Sequence, residues 1–189
     1  MPSSPLAPSL LLAMPDLADT NFRRSVVLLV HHDEEGTIGF VLNRTTDVTA
    51  RDLCDSLPER LQLEWSGSAT QPVHWGGPVA ENTGWVVTGD DALAGVAGST
   101  CFAERLHFTS SIEGLRCVAA RPPARLRLFL GYSGWGPGQL EGELAHGSWV
   151  VAPLTTEAVF EVAPDALWDH AWALLGIDPA TVISTPGIH

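Results

Sequence analysis

Residues 126–144, LRLFLGYSGWGPGQLEGEL, constrain the fold more than any other segment of this chain. An apolar run typical of a buried strand leads into Gly131-Tyr132-Ser133-Gly134-Trp135-Gly136-Pro137-Gly138, and a short helical pattern follows. Four glycines in eight residues call for unusual backbone angles or close backbone approach. A strand–glycine-loop–helix junction presents free N–H groups at the helix start. It is therefore either a ligand site or a tight corner.

The 189 residues suffice for one domain with a substantial core, and the chain is read as a single domain over 1–189. At 45% hydrophobic and 17% charged residues it is globular in composition. All ten basic residues are arginine, so lysine Schiff-base chemistry and a Walker lysine are excluded. The net charge is −12, and residues 128–189 hold seven carboxylates without one Lys or Arg. Duplex binding draws its affinity from neutralised phosphates, so this balance argues against direct nucleic-acid binding. The first residues lack the basic and apolar regions of a signal peptide, and no apolar stretch reaches membrane-span length. A cytoplasmic protein with no membrane contact is expected. Three widely spaced cysteines, Cys54, Cys101 and Cys117, read as reduced thiols rather than a disulfide or zinc framework.

Along the chain, 9–14 reads as a strand, and 25–32 with 37–43 reads as a β-hairpin closed by Asp33-Glu34-Glu35-Gly36. Residues 49–57 read as a helix capped by Thr49 with Asp52 at N3. Residues 63–71 read as an exposed connection, 73–79 with 84–88 as a second hairpin-like pair, and 89–99 as a surface loop. One strand is expected over 101–108. Ser110 and Glu113 have capping-box spacing for a helix to about 119. A strand at 125–132, a helix at 137–145, a strand at 148–152 and a helix at 164–175 follow. The last helix starts at Pro164, puts Leu167, Ala171, Leu174 and Leu175 on one face and stops at Gly176. A frayed tail is expected from 181. Strands in hairpins mixed with short helices indicate α+β.

Several constellations bear on chemistry. Gly131-x-Ser133-x-Trp135 misses the nucleophile elbow, because Trp stands where the second glycine belongs. Gly134-x-Gly136-x-Gly138 departs from the dinucleotide spacing, and Glu141 and Glu143 at the helix start would repel a phosphate. His31 and His32 are adjacent on a strand and point to opposite faces, so no metal site is expected. Arg116, Arg121, Arg125 and Arg127 form the one basic concentration; the choice lies between a solvated face and an anion or acidic-partner site. Arg24, Ser25, Asn43 and Arg44 fall near one end of the first hairpin.

The chain resembles the YqgE/AlgH family of bacterial proteins. The matching pieces are LLLAMPDLADTNFRRSVVLLVHHDEEGTIGFVLNR at 10–44, GGPV at 76–79, LGYSGWGPGQLEGEL at 130–144, WVVAP at 149–153 and LWDHAWALLGID at 167–178. Here GYSGWG stands where the family usually has GYAGWG, which weakens a serine-nucleophile reading further. The resemblance implies an α+β fold with a branched, partly barrel-like, mostly antiparallel sheet flanked by short helices. It implies no established enzyme activity, and no cofactor is expected. The family is labelled a transcriptional regulator through a genetic link to alginate control, yet this chain has no helix-turn-helix pattern or basic recognition helix.

The expected function is therefore a ligand- or protein-interaction module with an indirect regulatory role, its partner an unidentified protein or small molecule. The candidate ligand-binding residues are Arg24, Ser25, Asn43, Arg44, Gly76, Gly77, Trp135 and Gln139, with no catalytic or metal residue assigned. The alternatives are a hydrolase with its site at loop 131–138 and a direct DNA-binding regulator using the Arg116 to Arg127 patch.

Overall fold

A computed structural model of the chain describes residues 6–61 and 63–182. In chain order the first elements are β1 (Ser9–Ala13), β2 (Val26–Asp33), β3 (Gly36–Val41), β4 (Thr45–Thr49), α1 (Ala50–Asp55), β5 (Pro72–Trp75) and β6 (Val79–Thr88). They are followed by β7 (Thr100–Ala103), β8 (Leu106–Thr109), α2 (Ile112–Ala120), β9 (Leu126–Trp135), α3 (Gln139–Ala145), β10 (Trp149–Ala152), α4 (Thr156–Phe160) and α5 (Pro164–Leu174). This is the expected α+β class, a mostly antiparallel sheet flanked by short helices. The sheet branches at β9, which pairs β5 through 128–130 and β3 through 133–135. The chain divides into two compact units, Met1–Asn43 with Ser133–His189, and Arg44–Tyr132.

In the first unit the strand order is β10-β1-β2-β3, with the end of β9 beside β3, all antiparallel. Leu10 to Ala13 and Val26 to Leu29 are fully buried, which is why both strands read as unbroken apolar runs. α5 packs on β1, β2 and β10. Its buried face is Leu167, Trp168, Ala171 and Trp172, while Leu174 stays 37% exposed. The two tryptophans displace the expected Leu174 and Leu175 from that face because they bury more area per residue. Trp168 Nε1 also donates to the Ala13 carbonyl at 3.0 Å.

The β2–β3 hairpin turns as read. Asp33 Oδ1 accepts from the Glu35 and Gly36 N–H groups at 2.8 and 3.2 Å. The Glu35 N–H above all, together with His31, holds the Asp33 carboxyl below the usual range. α4 was not foreseen in the sequence; it is a short helix capped by Thr155.

In the second unit the order is β4-β5-β9-β6-β8-β7, with only β5–β9 parallel. The expected pairing of 73–79 with 84–88 does not form, because β9 lies between β5 and β6. Only Gly76-Gly77-Pro78 joins these two strands, so the chain crosses β9 within three residues. The crossing passes over Gly131: a Cβ at Gly76 would lie 2.3 Å from the Gly131 carbonyl oxygen, and one at Gly131 would lie 2.4 Å from that of Gly77. Glycine is required at both points.

Other expectations are corrected in this unit. Leu63 and Trp65 are not exposed; they join Leu53, Val73, Val86, Val118, Leu126 and Leu128 in its core. Segment 101–108 is a hairpin rather than one strand, with Arg105 in the left-handed region at its turn. The α2 cap is Ser111, accepting from Gly114 N at 3.0 Å, one residue beyond Ser110. α1 keeps its expected Thr49–Asp52 capping box. β4 was not foreseen; its TTDVT sequence is too polar to signal a strand. The expected tail beyond 182 lies outside the described residues.

Candidate functional site

The glycine-rich segment is more regular than its composition implies. Residues 131–135 continue β9 instead of forming a loop, and only Gly136-Pro137-Gly138 separates that strand from α3. Ser133 is fully buried and sits opposite Gly39 in the ladder. A nucleophile elbow needs an exposed serine on a strand-to-helix turn, so the hydrolase reading loses its nucleophile.

Trp135 closes this corner. Its ring lies 6.1 Å from Phe22, stacked, and 6.0 Å from Trp149, edge-on; Phe22 meets Trp149 at 5.5 Å. Both indoles donate to one carboxylate oxygen, Glu143 Oε2, at 3.0 Å from Trp135 and 2.8 Å from Trp149. Gln139 Nε2 donates to Glu143 Oε1 at 2.9 Å, and Gln139 Oε1 accepts from Gly136 N at 3.0 Å. Glu143 thus ties strand, loop and helix together, and the two indole N–H groups, Gly136 N and the Gln139 amide are engaged within the corner.

A second cluster lies at the open end of the β2–β3 hairpin. Asn43 Oδ1 accepts from Val26 N, and Asn43 Nδ2 donates to the Arg24 carbonyl, both at 2.9 Å. This clip holds Arg24 at φ +53°, a conformation an L-residue adopts only under constraint. The Arg24 guanidinium lies 4.2 Å from the Trp168 ring centroid and 3.5 Å from Asp169, a cation–π contact on an exposed face. Ser25 is fully buried, and its hydroxyl has no hydrogen-bond partner among the described residues. Ser25 N donates to the Phe22 carbonyl at 3.0 Å, so segment 22–25 serves both clusters.

Five of the eight candidate residues, Arg24, Ser25, Asn43, Trp135 and Gln139, therefore belong to the first unit, and Arg44, Gly76 and Gly77 to the second. In the second unit Arg44 lies 5.6 Å from the Trp75 ring centroid, and Trp75 Nε1 donates to Glu81 at 2.8 Å. Gly76 and Gly77 form the crossing over β9. Sequence reasoning missed Phe22, Glu143, Trp149 and Trp168. The Gln139–Glu143 spacing of four was the available signal for the first cluster.

The remaining polar groups are mostly locked. His31 reaches Asp33 at 2.8 Å, while His32 meets Thr37 at 2.7 Å and Glu141 at 3.5 Å. No group of three or more His, Cys, Asp or Glu suited to a metal occurs among the described residues. All three cysteines are free thiols, and burial pushes the Cys54 thiol up. In the arginine patch Arg125 pairs with Asp90 at 3.0 Å and Arg116 with Glu113 at 3.9 Å. Arg105, missed in the sequence reading, pairs with Asp91 at 3.0 Å.

His74 is 1% exposed, packs against Phe129, and its Nδ1 has no partner among the described residues. Burial first, and the Arg127 charge second, lower its pKa to about 4. Unfolded chain takes up this proton near pH 6.5 and folded chain only near 4. Stability is therefore full above pH 6.5 and declines as pH falls toward 4, by about 2 to 3 kcal/mol. Urea titrations across this window should show the decline in the native protein and a flatter profile in His74→Phe. Parallel profiles would assign the acid sensitivity elsewhere.

Cavities open among the described residues of the second unit. A groove of about 870 Å³ between α1 and α2 is rimmed by Asp55, Glu59, Glu64 and Arg116. A smaller one of about 420 Å³ lies between α1, β6 and α2.

The fold, with its glycine corner closed by Trp135 and Glu143, defines an α+β protein built on a branched, mostly antiparallel sheet. The chain belongs to the AlgH-like family (DUF179), whose model matches residues 10–180. It is 40% identical over 178 residues to a UPF0301 protein of Anaeromyxobacter dehalogenans, covering 93% of this chain and 90% of that one. It is 40% identical over 184 residues to a UPF0301 protein of Myxococcus xanthus, covering 97% and 98%. Its structure is similar to the solution structure of the AlgH protein of Pseudomonas aeruginosa, with TM-score 0.74, 29% identity and full coverage of both chains. A crystal structure of a Corynebacterium diphtheriae protein is also similar, with TM-score 0.66 and 28% identity over 89% of this chain and 86% of that one.

Proposed function

We propose that this protein is a cytoplasmic interaction module that influences gene expression indirectly, by binding a small molecule or a protein rather than duplex DNA. The observation that carries this reading is the state of its cations. Arg105, Arg116 and Arg125 each face a carboxylate within 4 Å, so phosphate contacts would have to break these pairs. The arginine-free stretch 128–189 and the net charge of −12 add long-range repulsion. No helix among the described residues is long and apolar enough to cross a membrane, which fits a module working in the aqueous phase. The buried setting of Ser133 disfavours the hydrolase alternative.

Purified protein at about 0.15 M salt, where specific regulators bind tightly, should shift no duplex in a genomic fragment selection. A nanomolar, sequence-dependent complex with a steep salt slope would replace this reading with the DNA-binding one.

A further inference from the structure

We propose that the 420 Å³ cavity of the second unit is a binding site for a small, electrically neutral ligand with an apolar body and a hydrogen-bonding end. It rests on the interaction-module reading and gives that module a site and a ligand class. The cavity falls within the size range of small-molecule pockets. Leu53 of α1, Leu57 just beyond its C-terminal end, Val86 of β6, and Ile112 and Leu115 of α2 supply its apolar walls. Asn82, Thr83 and Ser110 supply amide and hydroxyl groups. No charged side chain lines it, although the chain carries 32 Asp, Glu and Arg residues in all (22 acidic plus 10 basic). A charged ligand would be desolvated there without a counter-charge, which is costly. A neutral one loses little.

Gly84 is the residue that sharpens the inference. It lies on β6 opposite Leu130, at the first ladder pair after a bulge at 80–83. Its backbone is not in the left-handed region, so nothing in the conformation demands glycine. Nor does close packing: a Cβ there would meet only Leu53 Cδ2, at 3.9 Å. Strand glycines weaken a sheet, and β-branched residues are preferred at such positions. The consequence of glycine at 84 is open space, and that space adjoins the Leu53 wall of the cavity. Gly76 and Gly131 of the same unit differ, since a Cβ at either would lie within 2.5 Å of a backbone oxygen.

The test uses N-phenyl-1-naphthylamine, a neutral fluorescent probe with an apolar body and one N–H, and its sulfonated counterpart, 8-anilinonaphthalene-1-sulfonate. The neutral probe should bind the full-length protein saturably at one site, at least tenfold more tightly than the sulfonate. Gly84→Val, which fills the cavity from a strand position that tolerates it, should weaken binding at least tenfold without lowering the melting temperature. Amide shift mapping on the native protein provides a readout independent of the variant, with Gly84, Trp85, Ile112 and Leu115 expected to move. Absence of saturable binding, equal affinity for the sulfonate, unchanged affinity in a folded Gly84→Val, or shifts mapped elsewhere would each overturn the proposal. Binding of a peptide at these amides, with no neutral small molecule competing, would overturn it in favour of a protein partner. The duplex experiment above reads separately: specific DNA binding would remove the module reading, while loss of probe binding alone would remove only this site.

Discussion

Gly131→Ala is expected to cost about 4 kcal/mol. Gly131 sits at φ +70°, where a side chain costs about 1–2 kcal/mol in clash with its own carbonyl. The added methyl would also lie 2.4 Å from Gly77 O, 3.1 Å from Val79 O and 3.2 Å from Glu81 Cα. These are backbone atoms that cannot swing away, and overpacking a fixed environment adds roughly 1–3 kcal/mol. The penalty falls on the three-residue crossing that joins β5 to β6, so it has no other segment into which to relax. Gly142→Ala is the control. Its Cβ would meet nothing within 4 Å in α3, and alanine there should be neutral or stabilising by about 0.5–1 kcal/mol. Urea unfolding of the two variants checks the contrast. A Gly131→Ala midpoint within error of the native protein would show that the crossing is not tight.

The same crossing explains where sequence reading succeeded and where it failed. Local signals were legible. Asp33 and Gly36 marked the first hairpin, Thr49 with Asp52 capped α1, and Pro164 and Gly176 bracketed α5. Each depends on neighbours a few residues away, so chain order contains the cause. The partner of β5 was not legible. Two apolar strands flanking Gly76-Gly77-Pro78 look like a hairpin, because the usual use of such residues is a turn. The reason they form a crossing is Gly131, more than fifty positions away, and no periodicity reports a contact of that range. Trp65 was missed similarly: its flanking serine and glycine residues suggest exposure, while its burial depends on long-range packing in the unit's core.

At the candidate site, residue types were legible but their roles were not. Asn43 was recognised as a polar group at the end of a strand, and the hairpin register put Ser25 opposite it. Both ends of its amide prove to be bonded to the backbone. The unused volume lies instead beside Gly84, in a strand that reads as ordinary. A cavity is made by what surrounding side chains leave unfilled, and a linear pattern records only what they fill.

Trp135→Ala should cost about 4 kcal/mol, in the range of buried aromatic truncations. Trp135 is 5% exposed and shares its corner with Phe22 and Trp149. Removing the ring leaves a void against two aromatic faces, and it deprives Glu143 Oε2 of one of its two indole donors. The void is the larger part, because Trp149 and Gln139 continue to engage the carboxylate. Trp135→Phe separates the contributions. It keeps most of the packing and loses only the N–H donor, so it should cost about 1 to 2 kcal/mol, as expected for one hydrogen bond to a charged group plus slight underpacking. Glu143→Gln in the native and Trp135→Phe backgrounds completes a double-mutant cycle in which the coupling between the two residues is directly measured. A Trp135→Phe variant as unstable as Trp135→Ala would mean that the carboxylate bond, rather than ring burial, holds the glycine corner closed.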